Sequence, residues 1–253
     1  MEGQKVFPVI LEYCGGSRTD ALYNQLVSWN PKYRINVLDN ASPLDRACCV
    51  THTNSANSYI GGGIQDCITL ADMSGHPYVL IIMNDVELLT PLYIHAFESI
   101  VESSVETIQV SASFTHDTPQ VSQSPWMARR DGQSSRLAPH SDILCCLLRI
   151  DFIKSFGGFP PSKAGWGYDL ELACQANWNN KSIVIVDDCV ARHGRDRSRS
   201  IAALGEAFNK RREMQDAYRA RYGDFEALIT NMWSTLRDRY SPETSCACPS
   251  RTH

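Results

Sequence analysis

Residues 78–89 read YVLIIMNDVELL, and the organisation of the chain can be worked out from this stretch. Its first six residues are apolar without alternation, which is typical of a strand buried on both faces of a parallel sheet. The apolar run ends at Asn84 and Asp85, and a helical pattern begins at Pro91 and continues to about Val105. A buried strand followed by a helix predicts an α/β fold with polar residues at the strand end.

The same alternation of strands and helices extends over most of the sequence. Apolar, β-prone runs occupy residues 6–13, 35–38, 108–114, 143–149 and 183–190, and helical patterns occupy residues 22–29, 59–70 and 169–178. This alternation predicts a Rossmann-like, mostly parallel sheet flanked by helices. The pattern beyond residue 193 is helical, with apolar residues at helical spacing at Ile201, Leu204 and Phe208 and again at Phe225, Leu228, Ile229, Met232 and Leu236. We expect one α/β domain over residues 1–195, and a C-terminal helical extension with a polar tail over residues 196–253.

A long polar segment interrupts this alternation. Residues 115–141 are rich in Ser and Pro and show no period. A loop of this length is either disordered or a functional lid. It contains Trp126, which either contacts an acceptor molecule or is a packing residue.

The composition is that of an ordinary globular protein, with 43% hydrophobic and 21% charged residues among 253. The net charge of −4 argues against a nucleic-acid-binding protein, which usually carries a basic excess. No apolar run approaches the ~20 residues that span a bilayer, and the N-terminus lacks the pattern of a signal peptide. We therefore expect a cytoplasmic protein without a transmembrane segment.

Ten cysteines occur as single residues or adjacent pairs, mostly inside apolar runs. Adjacent residues of a strand point to opposite faces, so Cys145 and Cys146 are expected to be small core side chains in a reducing compartment. Cys246 and Cys248, with His253, form either a metal site or part of a polar tail, because no second cysteine pair completes a tetrahedral set.

Four predicted strand ends carry polar residues. They are Tyr13-Cys14-Gly15, Asp39-Asn40, Asn84-Asp85 with Glu87, and the region of His193. In an open α/β sheet, ligands bind beyond the carboxyl ends of the strands. Loops contain Gly, Asn and Asp in any case, so the order and spacing of the four ends are what favour a binding site.

These motifs resemble those of family 2 glycosyltransferases, especially the rhamnosyltransferase-like branch. Residues 37–42 (VLDNAS) are similar to the family's V-D-N-x-S strand end, and residues 57–63 (NSYIGGG) to its N-x-G-x-x-G-G loop, with Tyr59 replacing the first glycine. Residues 79–89 resemble the metal motif L-x-L-N-x-D-V-x-L. The most specific match is the ordered set G-G-F, W-G-x-D and H, which corresponds to residues 157–159, residues 166–169 and His193.

The resemblance implies a GT-A-type fold and an inverting hexosyl- or deoxyhexosyltransferase. Such an enzyme moves a sugar from a nucleotide-diphosphate sugar to a hydroxyl of a carbohydrate or glycoconjugate. The residues expected to contact the nucleotide sugar are Tyr13, Asp39, Asn57, Gly62, Asn84, Trp166 and Arg195. For Trp166 the alternative is packing. For Arg195, in a cluster with Arg192, Arg197 and Arg199, the alternative is a solvated basic turn.

A metal site belongs to this chemistry. The departing nucleoside diphosphate gains negative charge, which a divalent cation that bridges its phosphates neutralises. Mn²⁺ and Mg²⁺ prefer oxygen ligands and keep positions open for phosphate and water. Asp85 is the first candidate ligand, and Glu87 would face the same side if the segment stayed extended. Because Asn84 stands where the family pattern has a first Asp, the sequence leaves open whether Asp85 or Glu87 is the main metal ligand. The resemblance makes His193 a further ligand; otherwise it is a surface residue.

The acceptor hydroxyl needs a base, since it is a poor nucleophile at neutral pH. Asp169 and Glu171 are the candidates near the matched motif. Residues i and i+2 of a helix diverge by about 200°, so only one of them can point into a cleft. The W-G-x-D pattern selects Asp169 as the catalytic residue. The alternative is that Asp169 caps the following helix.

Two other functions are compatible with the sequence. A sugar nucleotidyltransferase would have a glycine-rich loop with a basic residue after its first strand, and residues 14–18 (CGGSR) are a weak form of it. A degenerate, non-catalytic GT-A carbohydrate-binding module is supported by Asn84 and Tyr59, which depart from the family pattern.

Overall fold

The computed structural model of the chain describes residues 4–122, 124–194 and 209–239, and one nine-stranded sheet forms its centre. The strands are β1 (Val6–Glu12), β2 (Asn36–Asp39), β3 (His52–Thr53), β4 (Tyr78–Met83), β5 (Val86–Leu88), β6 (Thr107–Phe114), β7 (Ser135–Ala138), β8 (Cys145–Arg149) and β9 (Ser182–His193). Their order across the sheet is β3-β2-β1-β4-β8-β6-β9-β5, and β7 pairs separately with β9.

The first half of the sheet is parallel. β1 lies between β2 and β4, and β1 to β4 all run in the same direction. β6 and β9 are also parallel to each other, whereas β8 is antiparallel to both of its neighbours, β4 and β6. The predicted α/β sheet is therefore present, with an antiparallel strand inserted at its centre. The apolar run at residues 143–149 has no feature that distinguishes the two directions.

Helices flank the sheet. Those in the described ranges are α1 (Gly16–Trp29), α2 (Tyr59–Met73), α3 (Ile94–Ser103), α4 (Ile150–Ser155), α5 (Tyr168–Trp178), α6 (Lys210–Tyr222) and α7 (Phe225–Arg239). α3 begins at Ile94 rather than at Pro91, because the Ile94 N–H donates to Oδ1 of Asn30 at 2.8 Å. Asn30, which follows the end of α1, thus also caps α3. None of these helices is long and apolar enough to cross a bilayer.

The core is centred on the strands. Every residue of β1 and β4 is buried, including Glu12 at the end of β1. Cys145 and Cys146 are fully buried in β8, as expected for small core side chains. Cys48, by contrast, is exposed. Cys246, Cys248 and His253 lie outside the described residues.

The polar segment at residues 115–141 has a defined structure where it is described. Its β7 pairs with β9, and a buried ion pair joins Nε of Arg136 to Oδ2 of Asp187 at 2.9 Å. The Arg136 guanidinium also donates to the carbonyl of Trp126 at 2.6 Å. The Trp126 ring is buried and stacks on Trp233 of α7, with 5.0 Å between the ring centroids. Of the two alternatives for this segment, disorder does not hold for its described residues, and of the two for Trp126 the structure shows packing.

The two C-terminal helices pack against the rest of the fold. Their predicted apolar stripe is buried at Phe225, Ile229, Met232 and Leu236. Tyr218 of α6 stacks on Phe225, with 4.0 Å between the ring centroids. The part of the predicted helical pattern at residues 201–208 lies outside the described residues.

α6 also contacts the loop that precedes α5. Glu213 accepts hydrogen bonds from the N–H groups of Lys163 and Ala164. Glu171 of α5 is fully buried, and its Oε1 accepts from Arg221 Nη1 at 2.5 Å. α6 therefore helps to fix the loop and the helix that contain residues 166–169.

Candidate active site

The end of β1 carries a buried carboxylate, Glu12, which none of the motifs includes. Its Oε1 accepts hydrogen bonds from the N–H groups of Gly15 (2.7 Å) and Gly16 (3.3 Å). Nδ2 of Asn84 donates to Glu12 Oε2 at 2.7 Å and to the carbonyl of Tyr13 at 3.3 Å, which joins the ends of β1 and β4. Because Glu12 occupies the glycine N–H groups, this loop lacks the open cradle of amides that would bind a nucleotidyltransferase's phosphates.

Asp39 lies buried at the end of β2. Its Oδ1 accepts a hydrogen bond from the Ser42 N–H at 3.0 Å, and its Oδ2 is 3.0 Å from Nε of Arg46. The Arg46 side chain is half exposed. Asp39 thus stabilises the turn after β2, and a nucleoside that binds to Asp39 must share Oδ2 with Arg46 or displace it.

The loop at residues 57–63 is held by Asn40 and Asn57. Asn40 Oδ1 accepts from the N–H (3.0 Å) and Oγ (2.8 Å) of Ser58, and Asn57 Oδ1 accepts from the Tyr59 N–H at 2.7 Å. Tyr59 has φ 59°, in the left-handed region that favours glycine. Tyr59 therefore adopts a backbone conformation suited to the glycine that it replaces in the motif.

The glycines of this loop permit close packing. A Cβ on Gly61 would lie 2.0 Å from the carbonyl oxygen of Ser162, and one on Gly62 would lie 2.5 Å from Cβ of Ser58. These glycines let the first turn of α2 approach its own N-terminal loop and the loop before α5. Contact between Gly62 and a nucleotide stays a prediction.

Asp85 and His193 lie together at the ends of β4 and β9. Oδ2 of Asp85 is 3.1 Å from Nε2 of His193, and Nδ1 of His193 is 3.0 Å from Oε1 of Gln120. Burial by itself lowers the pKa of His193. The hydrogen bond to Asp85 and its negative charge outweigh burial, so the pKa of His193 is raised above its ordinary value.

The geometry of this pair fits two adjacent corners of a divalent-cation site. Two ligand atoms that lie about 2.1 Å from an ion at a right angle are about 3 Å apart. Gln120 contacts the second ring nitrogen of His193, as the partners that orient metal-binding histidines do. Within the described ranges no group of three or more His, Cys, Asp or Glu side chains is placed to hold an ion. The Asp85–His193 pair would therefore need diphosphate and water oxygens to complete the coordination.

Glu87 lies apart from this pair. In the antiparallel pairing of β5 with β9, Glu87 is opposite Arg192, the neighbour of His193. Opposed residues share a face of a sheet and successive residues alternate, so Glu87 and His193 point to opposite faces. Glu87 Oε2 lies 3.3 Å from Arg192 Nη1. The segment does not stay extended from Asp85 to Glu87, because the chain turns immediately before β5.

Asp169 lies in the first turn of α5 beside a buried histidine. Its Oδ2 is 2.8 Å from Nε2 of His140, and its side chain is 22% exposed. Gly167 precedes the helix with φ 91°, a conformation that favours glycine. Glu171 points instead into the packing between α5 and α6. The helix thus separates the two carboxylates, and Asp169 is the one that reaches solvent.

Asp142, just before β8, connects these two groups of residues electrostatically. Burial and the charge of Asp169 raise its pKa to about 6, although the charges of His140 and His193 act in the opposite direction. A perturbed carboxylate among other titratable groups is typical of a functional site. Asp142 therefore lies within electrostatic reach of both the Asp169–His140 pair and the Asp85–His193 pair.

Asp142→Asn is expected to stabilise the ligand-free protein above pH 6 but not at pH 4. A carboxyl group with a pKa of about 6 when folded and 3.8 in its ordinary state binds its proton more tightly in the folded protein. Folding stability therefore falls as the pH rises from about 4 to about 6. Asparagine does not titrate, so the free energy of unfolding of Asp142→Asn should exceed that of the unmodified protein by about 1–3 kcal/mol above pH 6.

Melting temperatures between pH 4 and pH 8 test this expectation. Asp72→Asn, at an exposed carboxylate on α2, is the matched control. A gain from Asp142→Asn that is the same at both ends of the range would contradict it.

The remaining candidates are Trp166 and Arg195. Trp166 is 43% exposed, and Nζ of Lys210 lies 4.7 Å from its ring centroid. Stacking of Trp166 on a sugar stays a prediction, and the sugar would have to use the area that Lys210 leaves free. Arg195 lies outside the described residues, as do Arg197 and Arg199.

Comparison with known proteins identifies the fold. No known protein-family profile and no curated protein sequence matches this chain. Among solved structures, S. aureus TarS 1-349 in complex with UDP-GlcNAc has a TM-score of 0.59 and 12% identity over 95% of this chain and 74% of that one. GalNAc-T7 with UDP, GalNAc and Mn2+ has a TM-score of 0.58 and 11% identity over 75% of this chain and 43% of that one.

Both proteins are GT-A-type glycosyltransferases. This chain therefore has the GT-A fold, as expected from its motifs. The similarity spans less than half of GalNAc-T7, and identities near one residue in eight establish the fold alone.

Proposed function

We propose that this protein is a metal-dependent, inverting glycosyltransferase that moves a hexosyl or deoxyhexosyl group from a nucleotide-diphosphate sugar to a carbohydrate or glycoconjugate hydroxyl. The observation that carries the proposal is the contact between Asp85 and His193, 3.1 Å apart at the ends of β4 and β9 of a GT-A fold, where a divalent cation would bind. Asp169, the solvent-reaching carboxylate in the first turn of α5, is the proposed base. Family 2, and its rhamnosyltransferase-like branch, remain the finer form of this proposal.

On the donor side, Asp85 and His193 would hold Mn²⁺ or Mg²⁺. The ion would neutralise the charge that develops on the departing diphosphate. Asp39 binds the nucleoside, since a carboxylate accepts hydrogen bonds from a base N–H or from ribose hydroxyls. The other proposed contacts with the nucleotide sugar come from Tyr13, Asn57, Gly62, Asn84, Trp166 and Arg195. The Asn84 amide also holds Glu12 and the Tyr13 carbonyl in place.

On the acceptor side, Asp169 acts as the base. The acceptor oxygen forms a bond to the anomeric carbon as the bond from that carbon to the diphosphate oxygen breaks. The hydroxyl proton passes to the Asp169 carboxylate, and the electron pair of the broken bond leaves with the nucleoside diphosphate. One displacement of this kind inverts the anomeric configuration.

A donor panel tests the proposal. UDP sugars come first, because the similar structures contain UDP with Mn2+ and UDP-GlcNAc; dTDP and GDP deoxyhexoses come next. We expect metal-dependent release of nucleoside diphosphate with one donor, suppressed by EDTA. Pyrophosphate formed from a sugar phosphate and a nucleoside triphosphate would instead establish a nucleotidyltransferase. Binding without turnover would establish a non-catalytic module.

Asp39→Ala is expected to weaken donor binding by about 1–3 kcal/mol, the usual effect of losing a charged hydrogen-bond partner. The substitution also removes the acceptor of the Ser42 N–H and the partner of Arg46. Donor KM and calorimetric Kd measure the effect, with Asp72→Ala as an exposed control. An unchanged KM would show that Asp39 serves only the turn after β2.

A further inference from the structure

His140 has both of its ring nitrogens engaged in the interior of the protein. Nε2 lies 2.8 Å from Oδ2 of Asp169, and Nδ1 lies 2.6 Å from Oγ of Ser124. Both His140 and Ser124 are 3% exposed. None of the family motifs matched in the sequence includes either residue.

The contact with Asp169 indicates which ring nitrogen carries a hydrogen. An ionised carboxylate only accepts hydrogen bonds, so Nε2 of His140 carries the hydrogen that Asp169 receives. Nδ1 of the neutral ring then accepts the hydroxyl hydrogen of Ser124. The Nε2–H tautomer thus satisfies both partners of the ring.

The C-terminal helix α7 fixes the ring from a third direction. Trp233 meets the His140 ring edge to face, with 5.1 Å between centroids, and also stacks on Trp126. Rotation of the imidazole would disturb this aromatic contact as well as both hydrogen bonds. His140 is therefore held by the segment at residues 115–141, by α5 and by α7.

We infer that His140 is a positioning residue that directs the Asp169 carboxylate toward the acceptor, an inference that rests on the proposed function. An acidic side chain in the first turn of a helix is attracted to the helix N-terminus. Nε2–H of His140 holds Oδ2 of Asp169 and selects one orientation of the carboxylate. Asp142 is the other carboxylate whose charge acts on this pair. Asp169 thereby remains a base for the substrate rather than a cap for α5.

Two substitutions at position 140 separate positioning from packing. His140→Phe retains a ring beside Trp233 but has no donor for Asp169. His140→Gln places an amide N–H where Nε2 stood. We expect His140→Phe to lower kcat by about 10–100-fold, since a base displaced by about 1 Å can lose 10²-fold. His140→Gln should recover most of kcat, and both should leave the donor KM unchanged.

Ser124→Ala gives a milder test that keeps the imidazole in place. Without the hydroxyl the Nε2–H tautomer is less strongly selected, and kcat should fall by about 3–10-fold, less than the usual general-base effect. ¹⁵N NMR of the His140 ring should show Nε2 protonated in the unmodified protein. His95→Phe, at an exposed histidine of α3, is the control.

The outcomes distinguish this inference from the proposed function. An unmodified protein that transfers no sugar overturns both. An active protein whose His140→Phe variant keeps normal kcat, or whose His140→Gln variant is as impaired as His140→Phe, overturns the positioning role alone. If His140→Phe does not fold, the test is the turnover of Ser124→Ala together with the ring tautomer of the unmodified protein. Normal turnover of Ser124→Ala, or an Nδ1–H tautomer of His140, overturns the inference.

Discussion

Asp169→Asn is expected to lower kcat by at least about 10²-fold, the usual range for loss of a general base. The amide keeps the shape of the side chain and can still accept a hydrogen bond from His140, but it cannot take up the acceptor proton. Donor KM should be nearly unchanged, because Asp169 is proposed to act on the acceptor and not on the donor. Steady-state kinetics with the active donor measure both constants.

Glu171→Gln is the matched comparison two residues along α5. Glu171 is enclosed and paired with Arg221, so its substitution should lower the melting temperature and leave the turnover of the folded protein close to normal. If Asp169→Asn instead turns over normally and only melts earlier, Asp169 is a helix cap and the base lies elsewhere.

Asp85→Ala should weaken Mn²⁺-dependent binding of nucleoside diphosphate by at least about 10²-fold. Loss of a residue that merely orients a metal ligand typically costs 10–100-fold in metal affinity, and Asp85 is proposed to be a ligand itself. Asp85 lies in the turn between β4 and β5, outside the regular pairing of either strand, so the fold should persist. Isothermal titration with and without Mn²⁺ measures the effect.

Glu87→Ala provides the control for Asp85→Ala. Glu87 lies on the opposite face and pairs with Arg192, so metal-dependent binding should survive its removal. Full Mn²⁺-dependent affinity in Asp85→Ala, or its loss in Glu87→Ala, would reverse the assignment of the metal ligand.

Much of the fold could be predicted because hydrophobic patterns record burial. The uninterrupted apolar residues of β1 and β4 identified buried strands, and the spacing of Phe225, Ile229 and Met232 identified the apolar face of α7. Strand direction has no such signal, so the antiparallel β8 was not foreseen. β7 was missed because it has only four residues, one of which, Arg136, is buried by an ion pair with Asp187 rather than by apolar contact.

The site was predictable where motifs mark strand ends, and less so where the fold brings together distant residues. Asp85 and His193 were selected separately, and the structure places them in contact. His140 lies at the end of the polar segment and Asp142 directly after it, and the available signal was the sequence His-Ser-Asp directly before an apolar run. Glu12 gave a similar signal as a charged residue within a continuous apolar run.

The pairing of Glu171 with α6 bears on the order in which the chain folds during synthesis. β1 to β9 and α5 emerge before residues 210–222, so the Glu171 carboxylate is made about 50 residues ahead of its Arg221 partner. Burying an unpaired carboxylate costs several kcal/mol, which opposes the docking of α5 on a nascent chain. The half of the protein that is proposed to bind the nucleotide can thus assemble early, whereas Asp169 takes its final place only after α6 arrives. A ribosome-bound chain that ends before α6 should retain the donor half of its binding site and lack a competent base.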